Sequence, residues 1–420
     1  MGGEREARLL EMVQSSMQEA VDAGVIRVRI TDDQLTGTKI RVNGRDLVNF
    51  GSCSYLGLGQ DSRLKNAAAA AVERFGPSYS SSVAYASVDL YTDLEQRLTQ
   101  IFGGHSVIPA PTTTLAHLAA LPVLVTRKDL VVIDIQSHAS MHMAVDVLRG
   151  RGMNVKVVRH NDMKALHSVL SAAAETYEKI WYLADGVYSM FGDVAPVAEI
   201  DLLMEEFGNL YVYYDDAHGF GWAGRHGVGY VLDHTRLNHR MVVAVSLSKS
   251  YGAGGAALAI GDPALAQRIL LTGGTLTFGG PIHPAVLGAA VRSGDLHLSR
   301  EHAERQEVLY ERIDLVNKLV DEYGLSVPSL ARTPITFVRV GSSDDAIRMT
   351  KIMMTNGFFV NAAGYPAVPI REGGVRFTVT AAHSLADIES LISTLAEYAN
   401  PPEVIDLTED QPVLERRSAV

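Results

Sequence analysis

The stretch VVAVSLSKSYGAGG at residues 242–255 decides the fold prediction. Its first residues are small or β-branched and apolar, which is typical of a strand buried in a parallel sheet. The stretch places Lys249 among hydroxyls and glycines just beyond the strand. A lysine in partly apolar surroundings can lose its proton and condense with an aldehyde. An exposed loop lysine would also come after a strand in this way, so both interpretations stay open at this point.

Strand-like and helical segments alternate around this stretch. Apolar strands interleaved with helices predict an α/β fold, with a mainly parallel seven-stranded sheet covered by helices. Ligands of such sheets bind beyond the carboxyl ends of the strands. The predicted strands are residues 106–110, 130–135, 155–158, 180–184, 210–215, 241–247 and 256–260. The predicted helices are residues 62–75, 90–102, 113–124, 140–150, 162–177 and 200–207.

The regions that flank this sheet differ in pattern. Residues 1–50 are predicted to form an arm of one amphipathic helix and two short strands, 26–30 and 38–42. The large domain spans 51–284. One long helix, about 285–323, leads into a smaller α+β C-terminal domain that ends near residue 400. That domain contains strands 335–340 and 375–379 and helices 343–356 and 384–398, and a mobile tail is predicted at 401–420.

Composition excludes several classes of function. The chain has 420 residues, 47% of them hydrophobic, with a net charge of -11 and a pI near 5.7. Such a charge argues against a nucleic-acid partner, which normally requires a basic surface. No apolar window approaches the length of a membrane span. The single cysteine, Cys53, excludes an intramolecular disulfide and a multi-cysteine metal site. We therefore expect a cytoplasmic protein without a metal.

Three further strand ends carry candidate site residues. Asp215 ends the strand before Lys249, and such a carboxylate could hold a heterocyclic nitrogen protonated. His138 comes after another strand, where an imidazole is structural or stacks on a bound ring. Thr113 and Thr114 open a helix after a strand, and such a helix start can bind a phosphate or be simply capped. Together with Lys249 these residues predict a site for pyridoxal 5′-phosphate (PLP).

A glycine pattern after Asp215 suggests a different cofactor. Gly219, Gly221 and Gly224 match G-x-G-x-x-G literally. A dinucleotide-binding motif should open a helix after the first strand, whereas this match lies mid-chain and continues as a loop. We therefore set the nicotinamide interpretation aside.

The order of several motifs resembles the α-oxoamine synthases, which are fold-type I PLP-dependent transferases. The resemblance covers about residues 49–383 and rests on ordered motifs at compatible spacing. These motifs are His138-Ala139-Ser140, His160-Asn161-Asp162, Tyr188-Ser189-Met190-Phe191-Gly192-Asp193, Asp215-Asp216-Ala217-His218 and Ser246-Leu247-Ser248-Lys249.

The resemblance implies a role for each matching residue. Lys249 would bind the cofactor covalently, Asp215 would pair with the pyridine nitrogen, and His138 would stack on the ring. The remaining implied contacts are His218 and Ser189 near the phenolic oxygen, Ser246 and the Thr113-Thr114 pair at the phosphate, and Arg376 at the substrate carboxylate.

The implied reaction is a decarboxylative condensation of an amino acid with an acyl thioester to give an α-amino ketone. The acyl donor would be coenzyme A or an acyl-carrier protein, and the enzyme would be a homodimer with active sites at the subunit interface. Transamination, decarboxylation or aldol cleavage by the same cofactor is the alternative, and a non-catalytic family member is the second alternative.

Several positions depart from the family pattern, and they leave the substrate open. Ser82, Ala86 and Tyr91 stand where the family usually has arginine, glycine and histidine. His117 comes after Ala116 where an asparagine is usual, and Asp185 replaces a glutamate.

Overall fold

The structure is a computed structural model that describes residues 2–35, 37–369 and 371–399. The predicted tail at 401–420 lies outside the described residues. Three sheets occur in the described part of the chain. Their strands are β1 (Lys39–Val42), β2 (Arg45–Asn49), β3 (Ser106–Ala110), β4 (Leu130–Asp134), β5 (Asn154–Val158), β6 (Ile180–Asp185), β7 (Leu210–Asp215), β8 (Met241–Ser246), β9 (Ala256–Ile260), β10 (Ile335–Gly341), β11 (Phe358–Phe359), β12 (Asn361–Ala363) and β13 (Gly373–Thr378).

The helices alternate with the strands through the middle of the chain and dominate its second half. They are α1 (Gly2–Asp22), α2 (Ser62–Phe75), α3 (Leu90–Ile101), α4 (Thr113–Leu124), α5 (Ala139–Gly150), α6 (Met163–Ala173), α7 (Val197–Glu206), α8 (Tyr230–His234), α9 (Pro263–Thr272), α10 (Gly274–Phe278), α11 (Pro284–His297), α12 (Arg300–Glu322), α13 (Ser343–Thr355) and α14 (Leu385–Ala399). In the described ranges, no helix is both long and apolar enough to cross a membrane.

The central sheet has the strand order β3-β9-β8-β7-β6-β4-β5. Neighbouring strands from β8 to β5 are parallel, and only β9 runs antiparallel to both of its neighbours. The sequence prediction of a mainly parallel seven-stranded sheet is therefore confirmed. The carboxyl ends of β4, β6, β7 and β8 lie along one edge, because parallel neighbours end on the same side.

Successive residues of the central strands face two separate cores, as the two-residue period of a strand requires. In β4, Leu130 and Val132 pack with residues of α3, α6 and α7, whereas Val131 and Ile133 pack with α4, α5 and α9. All four side chains are almost fully buried. Helices therefore cover both faces of the sheet, which leaves its carboxyl edge as the accessible place for a ligand.

Two small sheets lie outside the central one. β1 and β2 form a hairpin through the Asn43-Gly44 turn, and β2 pairs in parallel with β11 from the C-terminal region. β10, β13 and β12 form an antiparallel sheet. The division of the chain after residues 50 and 284 stays a prediction.

Two predicted elements are wrong. Residues 26–30 do not form a strand, because Arg27 has a left-handed φ of 52° and only Ile30 bridges to Val42. The long helix predicted for 285–323 is broken between α11 and α12, where Ser299 adopts an extended conformation. The break lets α11 pack on α2 and α3 while α12 packs on α14.

Candidate functional site

The ends of the parallel strands bring charged and polar groups together at one edge of the sheet. β4 ends at Asp134, β6 at Asp185, β7 at Asp215 and β8 at Ser246. Asp185 and Asp215 are directly paired in the register of β6 and β7. Lys249 lies three residues beyond the end of β8. Strand topology alone therefore places the predicted lysine one strand away from the predicted aspartate.

Asp215 is buried and ionised. Its Oδ2 accepts a hydrogen bond of 2.9 Å from Nε2 of His117, and its Oδ1 accepts one of 3.0 Å from the Ala217 amide. Burial tends to raise the pKa of Asp215. The hydrogen bond and charge of His117, together with the charges of Lys249 and His138, lower that pKa to about 2. A carboxylate that stays charged can hold a proton on a facing heterocyclic nitrogen.

His117 is a site residue whose role the sequence interpretation missed. It is fully buried on α4, and its Nδ1 lies 2.9 Å from the Tyr213 hydroxyl. Because the Asp215 carboxylate can only accept, Nε2 of His117 carries a proton. When the ring is neutral, its Nδ1 accepts from the Tyr213 hydroxyl. One signal was available, since His117 lies one helical turn after Thr113 and so faces the sheet.

Lys249 is partly buried, and its Nζ makes no hydrogen bond or ion pair with any described residue. Its charge contributes to the pKa of Asp215, His138 and His218. These four groups are therefore neighbours. An amine with no partner inside the described part of the protein is available to bond the aldehyde of a cofactor.

His138 is positioned by the start of α5. Its Nδ1 accepts from the Ser140 amide at 3.2 Å, so the neutral ring carries its proton on Nε2. Partial desolvation lowers the pKa of His138, while its open face remains exposed to solvent. The Asp185 carboxyl accepts from the His138 amide at 3.1 Å and 3.2 Å. This contact fixes the backbone of His138 at the end of β6.

The adjacent carboxyls of Asp185 and Asp215 differ in protonation. Burial first, and then the negative charge of Asp215, raise the pKa of Asp185 well above its usual range. Two buried carboxylates side by side would repel each other, so one of them is neutral and the other is charged. Since His117 stabilises the anion of Asp215, Asp185 is the neutral member.

His218 lies deeper, against a tyrosine from the N-terminal region. Its Nδ1 is 2.7 Å from the Tyr55 hydroxyl, and Trp222 Nε1 donates to its backbone carbonyl at 2.5 Å. Burial, and next the charge of Lys249, hold the pKa of His218 well below its usual range. His218 is therefore a neutral imidazole. Nothing in the local sequence around Tyr55 indicated this pairing.

Hydroxyl groups that could hold a phosphate lie at the start of α4. The Thr112 hydroxyl accepts from the Leu115 amide at 3.1 Å and caps the helix, while the hydroxyls of Thr113 and Thr114 have no partner among the described residues. Ser246 Oγ lies 2.8 Å from Ser248 Oγ at the end of β8. Hydroxyls and free amides at a helix start suit a phosphate.

Arg376 reaches the site from β13. It is buried, and its Nε donates to the Ser189 carbonyl at 2.6 Å. Its charge also acts on the pKa of Tyr55, so the guanidinium lies near that hydroxyl. The structure thus brings Arg376 and Ser189 together, although it is the carbonyl of Ser189 that makes the contact.

Two of the residues that depart from the family pattern, Ser82 and Tyr91, contact the segment 277–282. Ser82 Oγ donates to the Thr277 carbonyl at 2.7 Å, and the Tyr91 hydroxyl accepts from the Ile282 amide at 2.5 Å. Tyr91 and Thr277 help to line a cavity of about 290 Å³, which also contacts Pro111 beside the start of α4. Segment 82–91 therefore packs on segment 277–282 next to the start of α4.

The residues at the sheet edge fit PLP. The unpaired amine of Lys249, the charged Asp215, the open face of His138 and the hydroxyls of Thr113 and Thr114 match the aldehyde, pyridine nitrogen, ring and phosphate of that cofactor. The fold and the site together define a fold-type I PLP-dependent enzyme.

Comparison with known proteins agrees with this class. A family model described as aminotransferase class I and II matches residues 45–395. The 8-amino-7-oxononanoate synthase of Dechloromonas aromatica is 32% identical over 389 residues, 92% of this chain and 98% of that protein. That of Thermoanaerobacter pseudethanolicus is 27% identical over 398 residues, 94% and 98% of the two chains. Serine palmitoyltransferase from S. paucimobilis superposes with a TM-score of 0.83 at 24% identity, over 94% and 98% of the two chains.

The chain therefore belongs to the aminotransferase class I and II family and, within it, to the α-oxoamine synthases. It is a PLP-dependent acyltransferase of the type that condenses an amino acid with an acyl thioester. The expected family, fold, cofactor and reaction type are confirmed.

Proposed function

We propose that the chain joins an amino acid to an acyl thioester at the edge formed by Lys249, Asp215 and His138, with loss of carbon dioxide and release of an α-amino ketone. One observation supports these residue roles: the Lys249 amine lies near the buried, ionised Asp215 carboxylate, but forms no ion pair with it or with another described residue. Elsewhere in a fold, a buried carboxylate beside a lysine would normally form an ion pair with it.

Each group of the site has a separate task in this proposal. Lys249 would hold the cofactor by its aldehyde group and, once released from it, would accept the α-proton of the amino acid. Asp215, oriented by His117, keeps the pyridine nitrogen protonated. PLP, when bound, supplies an electron-withdrawing ring that stabilises negative charge at the α-carbon. His138 would cover one face of that ring and shield it from water.

The remaining groups bind and orient. His218 and Ser189 would contact the phenolic oxygen of the cofactor, and Thr113, Thr114 and Ser246 would hold its phosphate. Arg376 binds the carboxylate of the amino acid, for which a guanidinium is well suited.

A thioester assay with a lysine variant tests the reaction. Purified protein with PLP is given a panel of amino acids and acyl thioesters, and free thiol, carbon dioxide and keto-acid are measured. We expect thiol and carbon dioxide to appear in equal amounts. Lys249→Ala should lose the visible absorption band of bound cofactor and at least about 10³-fold in rate, as expected for loss of a nucleophile and base.

Lys128→Ala is the matched control, because Lys128 is exposed and, among the described residues, its amine pairs with Glu178 alone. Its rate and spectrum should equal those of the wild type. If keto-acid forms without release of thiol, the enzyme catalyses transamination and the proposed condensation is wrong. A wild type that shows no cofactor band would overturn the proposal altogether.

We also propose a homodimer whose active sites lie at the subunit interface. Phe278 and Tyr85 support it, because these aromatic side chains near the cavity are 88% and 89% exposed in the single chain. Sedimentation of the wild type should give twice the monomer mass. Parallel assays with coenzyme A and acyl-carrier-protein thioesters separate the two acyl donors. The single cysteine supports a cytoplasmic location, which cell fractionation tests.

A further inference from the structure

A cluster of three charged side chains lies beside the site, and the proposed reaction does not use it. His160, from the loop after β5, lies between Asp134 at the end of β4 and Asp193 in the loop after β6. Its Nδ1 is 3.1 Å from Asp134 Oδ1, and its Nε2 is 2.5 Å from Asp193 Oδ2. The Tyr188 ring stands edge-on to the imidazole at 4.4 Å between centroids. The cluster therefore joins three loops at the same edge of the sheet.

The geometry favours the charged form of His160. Both ring nitrogens face carboxylate oxygens, and both can donate only in the imidazolium form. Partial burial by itself lowers the pKa of His160, but the hydrogen bonds and charges of Asp134 and Asp193 raise it to about 9. The Tyr188 ring and the Asn161 amide are the other polar groups against it, and neither carries a charge.

Asp193 depends on this single cation. Its Oδ1 is buried without a hydrogen-bond partner in the described chain, so His160 is the only positive group paired with its carboxylate there. Asp134 has more hydrogen-bond donors, because its carboxylate also accepts from the backbone amides of Gln136 and Asn161. Loss of the His160 charge would therefore destabilise the position of the Asp193 carboxylate more than that of Asp134.

Asp193 belongs to the loop that contacts Arg376. The Tyr188 amide donates to the Asp193 carbonyl at 2.8 Å, which closes segment 188–193. Within this segment the Ser189 carbonyl accepts from Arg376 Nε at 2.6 Å, and the Gly192 carbonyl accepts from the Thr333 hydroxyl at 2.7 Å. Movement of Asp193 would displace the carbonyl that orients the guanidinium.

We propose that His160 is a positioning residue that, by holding Asp193, fixes the 188–193 loop and so aims Arg376 at the carboxylate of the amino-acid substrate. The inference rests on the role proposed for Arg376. It predicts that His160 affects the affinity for the amino acid and leaves the affinity for PLP and for the thioester unchanged.

The proposal has a defined pH dependence. The folded pKa of His160, about 9, is above the unfolded value of about 6.5. The contribution of the cluster to stability is therefore complete below about pH 6.5 and is lost as the pH rises through about 9. The 188–193 loop should loosen in this alkaline range.

His160→Gln tests the proposal, because glutamine keeps one donor but no charge. His167→Gln is the matched control, since His167 also pairs with a carboxylate, Glu206, but is exposed on α6. We expect His160→Gln to raise the KM for the amino acid about tenfold, which corresponds to a loss of about 1.4 kcal/mol, with kcat within about threefold of the wild type. The wild-type KM for the amino acid should rise as the pH approaches 9. Asp193→Asn should raise this KM at neutral pH and should show no further rise near pH 9.

Hydrogen exchange supplies a readout that does not depend on turnover. The amides of residues 188–193 should exchange faster in His160→Gln than in His167→Gln, with and without PLP, and the wild type should approach the variant above pH 9. An amino-acid KM within twofold of the wild type, or unchanged exchange in this segment, would overturn the proposal. So would a loss of PLP affinity equal to the KM effect, because it would indicate general damage.

Failure of the proposed reaction can be told apart from failure of this inference. If the wild type releases no thiol, the condensation is wrong. The dissociation constant of the amino acid, measured from the change in cofactor absorption, then replaces KM. A tenfold weaker constant in His160→Gln would still support the positioning role, and an equal constant would refute it.

Discussion

At the scale of single residues, the site is organised by which groups are charged. Asp215 is an anion because His117 donates to it, whereas burial keeps Asp185 neutral one strand away. His218 is neutral, and His160 is charged. Four similar strand-end or loop positions therefore have different protonation states, and each is set by its neighbours rather than by its residue type.

Asparagine is the residue usual at the position of His117 in the family. Replacing His117 by asparagine should show whether the imidazole affects the charge state of Asp215 without affecting the binding of the cofactor. Asparagine is shorter and uncharged, so it should support the Asp215 anion less well and allow the carboxyl's pKa to rise. We expect kcat to fall about tenfold, equivalent to about one pKa unit of lost stabilisation, with a smaller change in KM. Steady-state kinetics and the pH dependence of the cofactor's visible absorption measure this effect.

His234→Asn provides the control, because His234 is exposed and its hydrogen bond and ring contact within the described part of the chain are both to Tyr230. An absorption spectrum and kcat identical to those of the wild type in His117→Asn would mean that the imidazole does not tune Asp215.

Sequence interpretation can bring together candidate residues that stand directly after strands. Lys249, Asp215 and His138 lie at strand ends, so a correct prediction of the strands brought them together. Tyr55 and His117 were missed as site residues because their partners, His218 and Asp215, lie 163 and 98 positions away. No local pattern contains such a pair.

At the scale of elements, helix packing explains both the break after α11 and the small residues within it. α11 lies against α2 so closely that a Cβ on Gly288 would be 2.5 Å from the Ala67 carbonyl oxygen and 2.7 Å from the Ala71 Cβ. A single straight helix from 284 to 322 could not keep this contact and also pack on α14. α9 and α10 were not predicted, although Asp262-Pro263 is a recognisable start signal.

Gly288→Ala should destabilise the protein although alanine is the better helix former. The added methyl meets backbone and another methyl rather than a flexible side chain, so α11 must move away from α2. We expect a loss of about 1–3 kcal/mol in the free energy of unfolding, measured by urea denaturation. Gly150→Ala at the end of α5 is the control, because its Cβ would meet no atom within 4 Å. Equal stability of the two variants would contradict this packing.

At the scale of the whole molecule, the N-terminal and C-terminal parts of the chain meet around His383. Its Nε2 donates to the Asn49 carbonyl at 3.1 Å, and its Nδ1 accepts from the Thr380 amide at 3.0 Å. The ring stacks on Phe50 at 4.1 Å between centroids. Burial lowers the pKa of His383 to about 4. This contact therefore requires a neutral imidazole.

This contact should make the protein sensitive to acid. The pKa of His383 in the folded protein is below the unfolded value of about 6.5. Between these two pH values the unfolded chain therefore binds a proton at His383 and the folded protein does not. Stability is lost as the pH falls from about 6.5 through about 4, by an amount on the order of 3 kcal/mol for this group. His383→Gln should flatten that part of the stability curve, measured by urea denaturation at several pH values. His167→Gln should leave it unchanged, and parallel curves for all three proteins would refute the assignment.

The class of fold and the central sheet follow from the amino-acid sequence, and so does the prediction that Lys249, Asp215 and His138 form the cofactor site. Each of these depends on periodicity or on the residues directly after a strand. The tertiary structure was needed to reveal the partners that set their charge states, the break between α11 and α12, and the His160 cluster next to the loop that contacts Arg376. These features depend on contacts between segments far apart in the chain, where burial and opposing charges decide the outcome and local sequence preference does not.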